Sequence, residues 1–165
     1  MVKHQVFFSF HYDNDVWRAG KVRNMGIVDN SSTFCDNDWE AVRRNSTSVI
    51  EKWIDEQLQK RSCIVVLIGS KTSERKWVKY EIQRAYELKK GIVGIFVHKI
   101  KDRDECQCIK GVNPFDLIKS KNGLPLSNYI TAYNSPFNDS KDVYNDISNK
   151  IDKLISDAIS KRGTY

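Results

Sequence analysis

The stretch Cys63-Ile64-Val65-Val66-Leu67-Ile68-Gly69-Ser70 decides the fold. Its first six residues are apolar and mostly β-branched, and a Gly-Ser turn signal ends them. A continuous apolar run of this length is typical of a strand buried on both faces, as in a parallel sheet. We expect a helix to begin shortly after the turn, near Ser73, because serine is a favourable N-cap residue.

Trp77 and Glu81 lie four residues apart on this predicted helix, so they share one of its faces. A different stripe, formed by Val78, Ile82 and Ala85, follows the 3.6-residue period and should pack on the sheet. Trp77 and Glu81 then flank the helix near the carboxyl end of the strand, where open parallel sheets form ligand crevices. Such a pair could hold a cationic or sugar-like ligand. The spacing leaves open the alternative of a half-buried indole beside a solvated carboxylate.

Similar apolar segments recur on both sides of this stretch and alternate with amphipathic ones. The other predicted strands are residues 6–10, 30–35, 91–97 and 129–133. The other predicted helices begin at Asp13 or Asn14, at Asn37 (continuing to Leu58), and at Asp139 or Ser140, while Gly91 closes the helix after Ser73. The alternation predicts an α/β fold, a single doubly wound (flavodoxin-like) parallel five-stranded sheet with helices on both faces, in one domain over residues 1–165. The segment from Lys99 to about Leu126 shows no periodicity and is expected to be a long connection.

Composition limits the class of protein. The chain has 165 residues, of which 40% are hydrophobic and 29% are charged, as in an ordinary globular domain. No apolar run approaches the roughly 20 residues that span a bilayer, and the N-terminus lacks the pattern of a signal peptide. We therefore expect a cytoplasmic protein that does not bind membranes.

The net charge and the metal-binding residue types limit the kinds of ligand that the sequence predicts. The net charge of +6 suits an anionic ligand such as a dinucleotide, but the sequence has no Arg-rich helix or aromatic-basic strand motif that would indicate nucleic-acid binding. The four cysteines include a lone C-x-C pair, and the three histidines are scattered. This pattern does not predict a zinc site, and we expect no bound metal.

Residues at the predicted strand ends exclude several α/β families. A response-regulator receiver needs an aspartate at the end of the third strand, where this chain has Ile68-Gly69-Ser70. A flavodoxin needs a hydroxyl- and glycine-rich phosphate loop after the first strand, where this chain has His11-Tyr12-Asp13-Asn14. Neither a G-x-G-x-x-G motif nor a Walker loop is present.

The chain resembles the TIR superfamily, and within it the bacterial TIR-like group that includes the ThsB component of Thoeris anti-phage defence. The matching motifs are Val6-Phe7-Phe8-Ser9-Phe10-His11-Tyr12, Val22-Arg23-Asn24, Leu67-Ile68-Gly69-Ser70-Lys71-Thr72, Trp77-Val78-Lys79-Tyr80-Glu81-Ile82 and Asn113-Pro114-Phe115-Asp116. Each motif is weak alone, but together and in this order they cover about the first 118 residues. The last third matches only in being a strand followed by a helix.

The resemblance implies an enzyme that consumes NAD as its substrate and needs no separate cofactor. In active TIR domains the glutamate of a Trp-x-x-x-Glu element is catalytic, which here implies Glu81 with Trp77 beside it. Phe10, His11 and Tyr12 are then expected to form a ligand loop, although the end of a strand is equally a packing position. Two further binding candidates are Ser70, otherwise a turn residue, and Asp36, otherwise part of a helix cap.

The resemblance also implies a product and partners. Attack by water on the ribose would give ADP-ribose, whereas attack by a hydroxyl of the same ADP-ribosyl unit would give a cyclic product. In Thoeris-like systems a cyclic ADP-ribose-type product switches on a separate effector protein, and active TIR domains often need homo-oligomeric assembly. The alternative function is a non-catalytic TIR module that acts through protein–protein contacts.

Overall fold

Parallel strands form the centre of the molecule. The computed structural model describes residues 4–25, 39 and 41–165. Within them the strands are β1 (Val6–Ser9), β2 (Cys63–Ile68), β3 (Gly91–Phe96) and β4 (Ala132–Tyr133), which pair in parallel in the order β1-β2-β3-β4. Every residue of the first three strands is buried, as the continuous apolar runs predict.

Helices cover this sheet through two separate apolar clusters. The helices of the described residues are α1 (Tyr12–Arg23), α2 (Thr47–Gln59), α3 (Lys76–Glu87) and α4 (Ser140–Lys161). One cluster joins α1 and α4 to side chains such as Val65, and the other joins α2 and α3 to alternate side chains such as Ile64. Because neighbouring residues of a strand point to opposite faces, the helices lie on both faces of the sheet.

The predicted α/β class and the parallel sheet are therefore confirmed with four strands. The predicted strand at residues 30–35, the second in chain order, lies outside the described residues, so the five-stranded and flavodoxin-like description stays a prediction. The carboxyl ends of β1 and β2 lie side by side, because Ser9 pairs with Val66 in register. Loops that follow these two strands consequently open at the same edge.

Helix boundaries differ from several expectations. Ser73 is not an N-cap: it is buried in a 3₁₀ turn, Thr72–Glu74, and α3 begins only at Lys76. The Thr72 hydroxyl accepts a hydrogen bond from the Gly69 amide at 2.8 Å, which stabilises the turn instead. Gly91 does not close α3 either. Lys89 takes the left-handed conformation, with φ of 56°, and Gly91 is already the first residue of β3.

Three further boundaries are corrected. His11, and not Asp13 or Asn14, is the N-cap of α1, and its side chain makes no capping hydrogen bond.

The predicted helix from Asn37 to Leu58 is interrupted by a turn at residues 43–46. On α2 only Ile50, Ile54 and Leu58 are buried, and Val49 is 47% exposed. The last strand is Ala132–Tyr133 and not residues 129–133, because the amides of Tyr129 and Ile130 donate to the Leu126 carbonyl of the preceding 3₁₀ turn. Asp139 caps α4 as expected, accepting from the amides of Lys141 and Asp142.

The long connection after β3 is anchored rather than free. The buried Arg18 guanidinium donates to the carbonyls of Ile100 at 2.6 Å and Cys106 at 2.8 Å, and it pairs with Asp15 at 2.9 Å. Gly111 packs directly on the backbone of Gly69 and Ser70, at the end of β2. No helix of the described residues is both long and apolar enough to cross a membrane.

Gly111→Ala is expected to destabilise the protein by about 2 kcal/mol or more, because a Cβ there would overlap the carbonyl oxygen of Gly69. The backbone of Gly69 cannot move away without a cost in free energy. Gly20→Ala is the matched control. Gly20 is inside α1 with open space around it, so alanine there should stabilise the protein by about 0.5–1 kcal/mol. Urea unfolding of both variants measures the effect. Equal stability of the two would contradict the close approach at Gly111.

Candidate active site

A cavity of about 320 Å³ opens where the carboxyl end of β1 meets the start of α3. Its lining combines aromatic rings, arginines and one buried acid. The lining residues are Phe8, Phe10, His11, Tyr12, Asp13, Trp39, Arg43, Arg44, Arg75, Trp77, Val78 and Glu81. A cleft at the strand ends of a parallel sheet, in which aromatic rings lie beside convergent polar groups, is a typical ligand site.

Two neighbouring elements place the predicted pair in this cavity. The buried stripe of α3, which includes Val78, Ile82 and Ala85, packs on the sheet as the sequence pattern predicts. This fixes the rotation of the helix. Glu81 is then turned toward the end of β1 and Trp77 lies one helical turn nearer the opening, half-buried. The alternative of a solvated Glu81 does not agree with this geometry, because only 6% of that residue is exposed.

The acid of the cavity has an unusual environment. The hydroxyl of Ser9, which is 1% exposed, donates a hydrogen bond to Oε2 of Glu81. Burial raises the pKa of Glu81 from 4.5 to about 8, and the hydrogen bond from Ser9 opposes that rise. The ligand-free side chain therefore carries a proton for much of the time at neutral pH, and the carboxylate that forms at higher pH is poorly solvated. A raised carboxyl pKa in a cleft is characteristic of functional sites.

Aromatic side chains form the walls. The rings of Phe10 and Tyr12 stack with centroids 6.2 Å apart, at the junction where β1 leads into α1. Trp77 contacts Tyr80 edge to face at 5.7 Å, and the ammonium of Lys76 lies 4.9 Å from the Trp77 ring centroid. These contacts restrain the aromatic rings that wall the cavity.

Positive charge surrounds the cavity. Arg43 pairs with Asp13 at 2.8 Å and lies over the Tyr12 ring, 5.2 Å from its centroid. Arg75, at the N-cap of α3, is exposed on another side. Burial, with the nearby Arg75 charge, lowers the pKa of His11, so this imidazole is neutral at physiological pH. The cavity thus presents a buried acid to one part of a ligand and guanidinium groups to another.

Most of the predicted site residues line this one cavity. Phe10, His11, Tyr12, Trp77 and Glu81 all do so. Ser70 does not line it; its hydroxyl accepts a hydrogen bond from the Asn14 amide at 3.4 Å. Asp36 lies outside the described residues. The catalytic and binding roles of all these residues stay predictions.

Sequence reasoning missed the serine and the arginines. Ser9 is the polar residue in an otherwise apolar strand segment, and that exception is a sequence signal from which a site residue could have been predicted. Arg43 and Arg44 are visible in the sequence as a basic pair, but nothing in their spacing relates them to Trp77. Within residues 4–25, 39 and 41–165, no group of three or more His, Cys, Asp or Glu side chains is arranged to hold a metal ion.

Comparison with known proteins gives two matches. Residues 7–102 match the protein family described as "Thoeris protein ThsB, TIR-like domain". The chain is also similar to a curated protein of Bacillus cereus (strain MSX-D12) named "Putative cyclic ADP-D-ribose synthase ThsB1". The two sequences are 35% identical over 119 residues, which make up 69% of this chain and 62% of that relative. The chain thus matches less than two thirds of the relative's length.

Proposed function

The chain belongs to the family of TIR-like domains of the Thoeris protein ThsB, and on this premise we propose that it is an enzyme that cleaves the nicotinamide–ribose bond of NAD. The observation that carries the proposal is the buried acid Glu81 at the base of an aromatic-walled, arginine-rimmed cavity. The name of the Bacillus cereus relative, a putative cyclic ADP-ribose synthase, supports the same class of substrate.

The chemistry of this bond suits the residues present. Nicotinamide in NAD is a pyridinium, so it leaves as a neutral molecule and needs no general acid. The ribose carbon C1′ becomes positive as the C–N bond breaks, and the carboxylate of Glu81 would stabilise that charge in a cavity with little water. A new bond then forms between C1′ and an acceptor atom. When the acceptor is a hydroxyl, its proton is released, and a carboxylate with a raised pKa can take it.

The rest of the cavity would hold the substrate. Trp77, Phe10 and Tyr12 offer faces on which the nicotinamide or adenine ring can stack. Arg43, Arg44 and Arg75 suit the diphosphate, because guanidinium groups bind phosphate oxygens in a bidentate manner. This arrangement brings a cationic ring and an anionic linker to different parts of one cavity.

We further propose a cyclic ADP-ribose-type product, which would form when a hydroxyl of the same ADP-ribosyl unit attacks C1′. By analogy with Thoeris systems, this product would act on a separate effector protein. Homo-oligomerisation and a cytoplasmic location also remain predictions from the sequence.

Incubation with NAD tests the activity directly. Nicotinamide release is followed by chromatography, and the mass of the second product decides its type, since a cyclic product is lighter than ADP-ribose by one water. The protein is assayed both purified and in lysates of phage-infected cells that express it. NAD that stays intact in both settings would contradict the proposal and favour a non-catalytic interaction module.

Arg75→Gln is expected to raise KM for NAD about tenfold while changing kcat little, because Arg75 is at the exposed rim and contributes attraction rather than chemistry. The difference should shrink at high salt. Arg103→Gln removes an exposed arginine that does not line the cavity and serves as the control. Initial rates at two ionic strengths measure both variants, and equal KM values would remove Arg75 from substrate binding.

A further inference from the structure

The Ser9–Glu81 pair is a contact between two elements that are distant in sequence. Ser9 is the last residue of β1 and Glu81 is in the middle of α3, and both are at least nine-tenths buried. The hydroxyl donates to one carboxyl oxygen, Oε2. Because the other residues of β1 are valine and phenylalanine, this hydroxyl is the polar group that the strand offers to the acid.

The charged side chains around the cavity do not take over the role of the hydrogen bond between Ser9 and Glu81. Among the described residues, the charged and titratable groups that line the cavity with Glu81 come from the N-cap and first turn of α1, the segment before α2 and the N-cap of α3; they are His11, Tyr12, Asp13, Arg43, Arg44 and Arg75. Burial alone would keep Glu81 neutral, and the hydrogen bond from Ser9 is the interaction that favours its ionised form. Arg43 is already engaged with Asp13.

We propose that Ser9 is a positioning residue of the active site, whose hydroxyl orients the Glu81 carboxyl and stabilises it as the carboxylate that faces C1′ of NAD. This inference rests on the proposed function. A hydroxyl in this place has two effects. It restricts the carboxyl to one rotamer, and it supplies a hydrogen bond that is stronger when the acid is charged. Ser9 touches no substrate atom and acts only through Glu81.

The test is the pH profile of kcat/KM, which reports ionisation in the free enzyme. The wild-type protein should lose activity as the pH falls through about 8, the pKa of Glu81. Ser9→Ala should move this acidic limb upward by about one pH unit, which lowers kcat/KM at pH 7 about tenfold and leaves it near the wild-type value above pH 10. Ser9→Cys, whose thiol is a weaker donor, should give an intermediate shift.

Ser120→Ala is the matched control, because Ser120 is also buried but does not line the cavity. The Ser120→Ala variant should leave the acidic limb of the pH profile of kcat/KM at the wild-type pH. An active protein whose Ser9→Ala variant keeps the wild-type limb would overturn the inference, whereas a wild-type protein that releases no nicotinamide would defeat the proposed function instead.

A measurement without substrate separates a failure of the Ser9 inference from a failure of the proposed function. Carbon NMR of the Glu81 carboxyl gives its pKa in each variant, and Ser9→Ala should raise it by about one unit relative to the wild type. An unchanged pKa would overturn the role of Ser9 whatever the activity. Circular dichroism confirms that each variant is folded.

Discussion

Glu81→Gln is expected to lower the rate of nicotinamide release from NAD by about 10³-fold. The glutamine amide has nearly the same size and can still accept the hydrogen bond from Ser9, so the cavity should keep its shape. It cannot carry the negative charge that stabilises C1′ as nicotinamide leaves. Loss of one preorganised electrostatic group typically costs 10²–10³ in rate, and among the described residues that line the cavity the other carboxylate is Asp13, which is paired with Arg43.

The matched control for this rate is Glu87→Gln. Glu87 is on the same helix but is exposed at its end, where it pairs with Arg84. This variant should keep the wild-type rate, which excludes a general effect of charge removal from α3. A Glu81→Gln protein that releases nicotinamide as fast as the wild type would remove Glu81 from the catalytic role.

The same substitution is expected to stabilise the folded protein at alkaline pH. In the unfolded chain the pKa of Glu81 is about 4.5, and in the folded protein it is about 8. Between these values the folded state binds more protons at this site than the unfolded state, so the site's contribution to stability falls as the pH rises through this window. Glutamine has no such loss. Glu81→Gln should therefore exceed the wild type by on the order of 3 kcal/mol at pH 8 and by less than about 1 kcal/mol at pH 5.

Urea unfolding at several pH values measures this difference, again with Glu87→Gln as the control. Glu87 is exposed, so its variant should follow the wild-type curve within about 0.5 kcal/mol. A Glu81→Gln variant that is less stable than the wild type at pH 8 would mean that the carboxyl is ionised and well solvated. Taken together with the loss of rate, greater stability would show that the fold tolerates an unfavourable acid for the sake of activity.

The fold was largely predictable because its elements are encoded locally. The strands Cys63–Ile68 and Gly91–Phe96 are continuous apolar runs with no competing pattern, and Asp139 caps α4 as its sequence position predicts. The errors fall where local signals compete. Ser73 is a good N-cap by composition, but the Thr72 hydroxyl binds the turn after β2 and delays the start of α3.

The site was predictable only in part. The spacing of Trp77 and Glu81 gives their shared helix face, and the TIR resemblance assigns them a role that spacing alone cannot. Burial of Glu81 and its contact with Ser9 depend on residues 72 positions apart in sequence. The same is true of Arg43, which lies 30 positions from its partner Asp13. Such contacts arise from the packing of whole elements, and no local pattern in a single sequence predicts them.

The most direct test of the central claim is a crystal structure of the Glu81→Gln protein with intact NAD. We predict that C1′ of the nicotinamide riboside lies about 3.5 Å from the side-chain amide of residue 81, beside the indole of Trp77. NAD bound away from this cavity, or bound in it with C1′ remote from residue 81, would contradict the account.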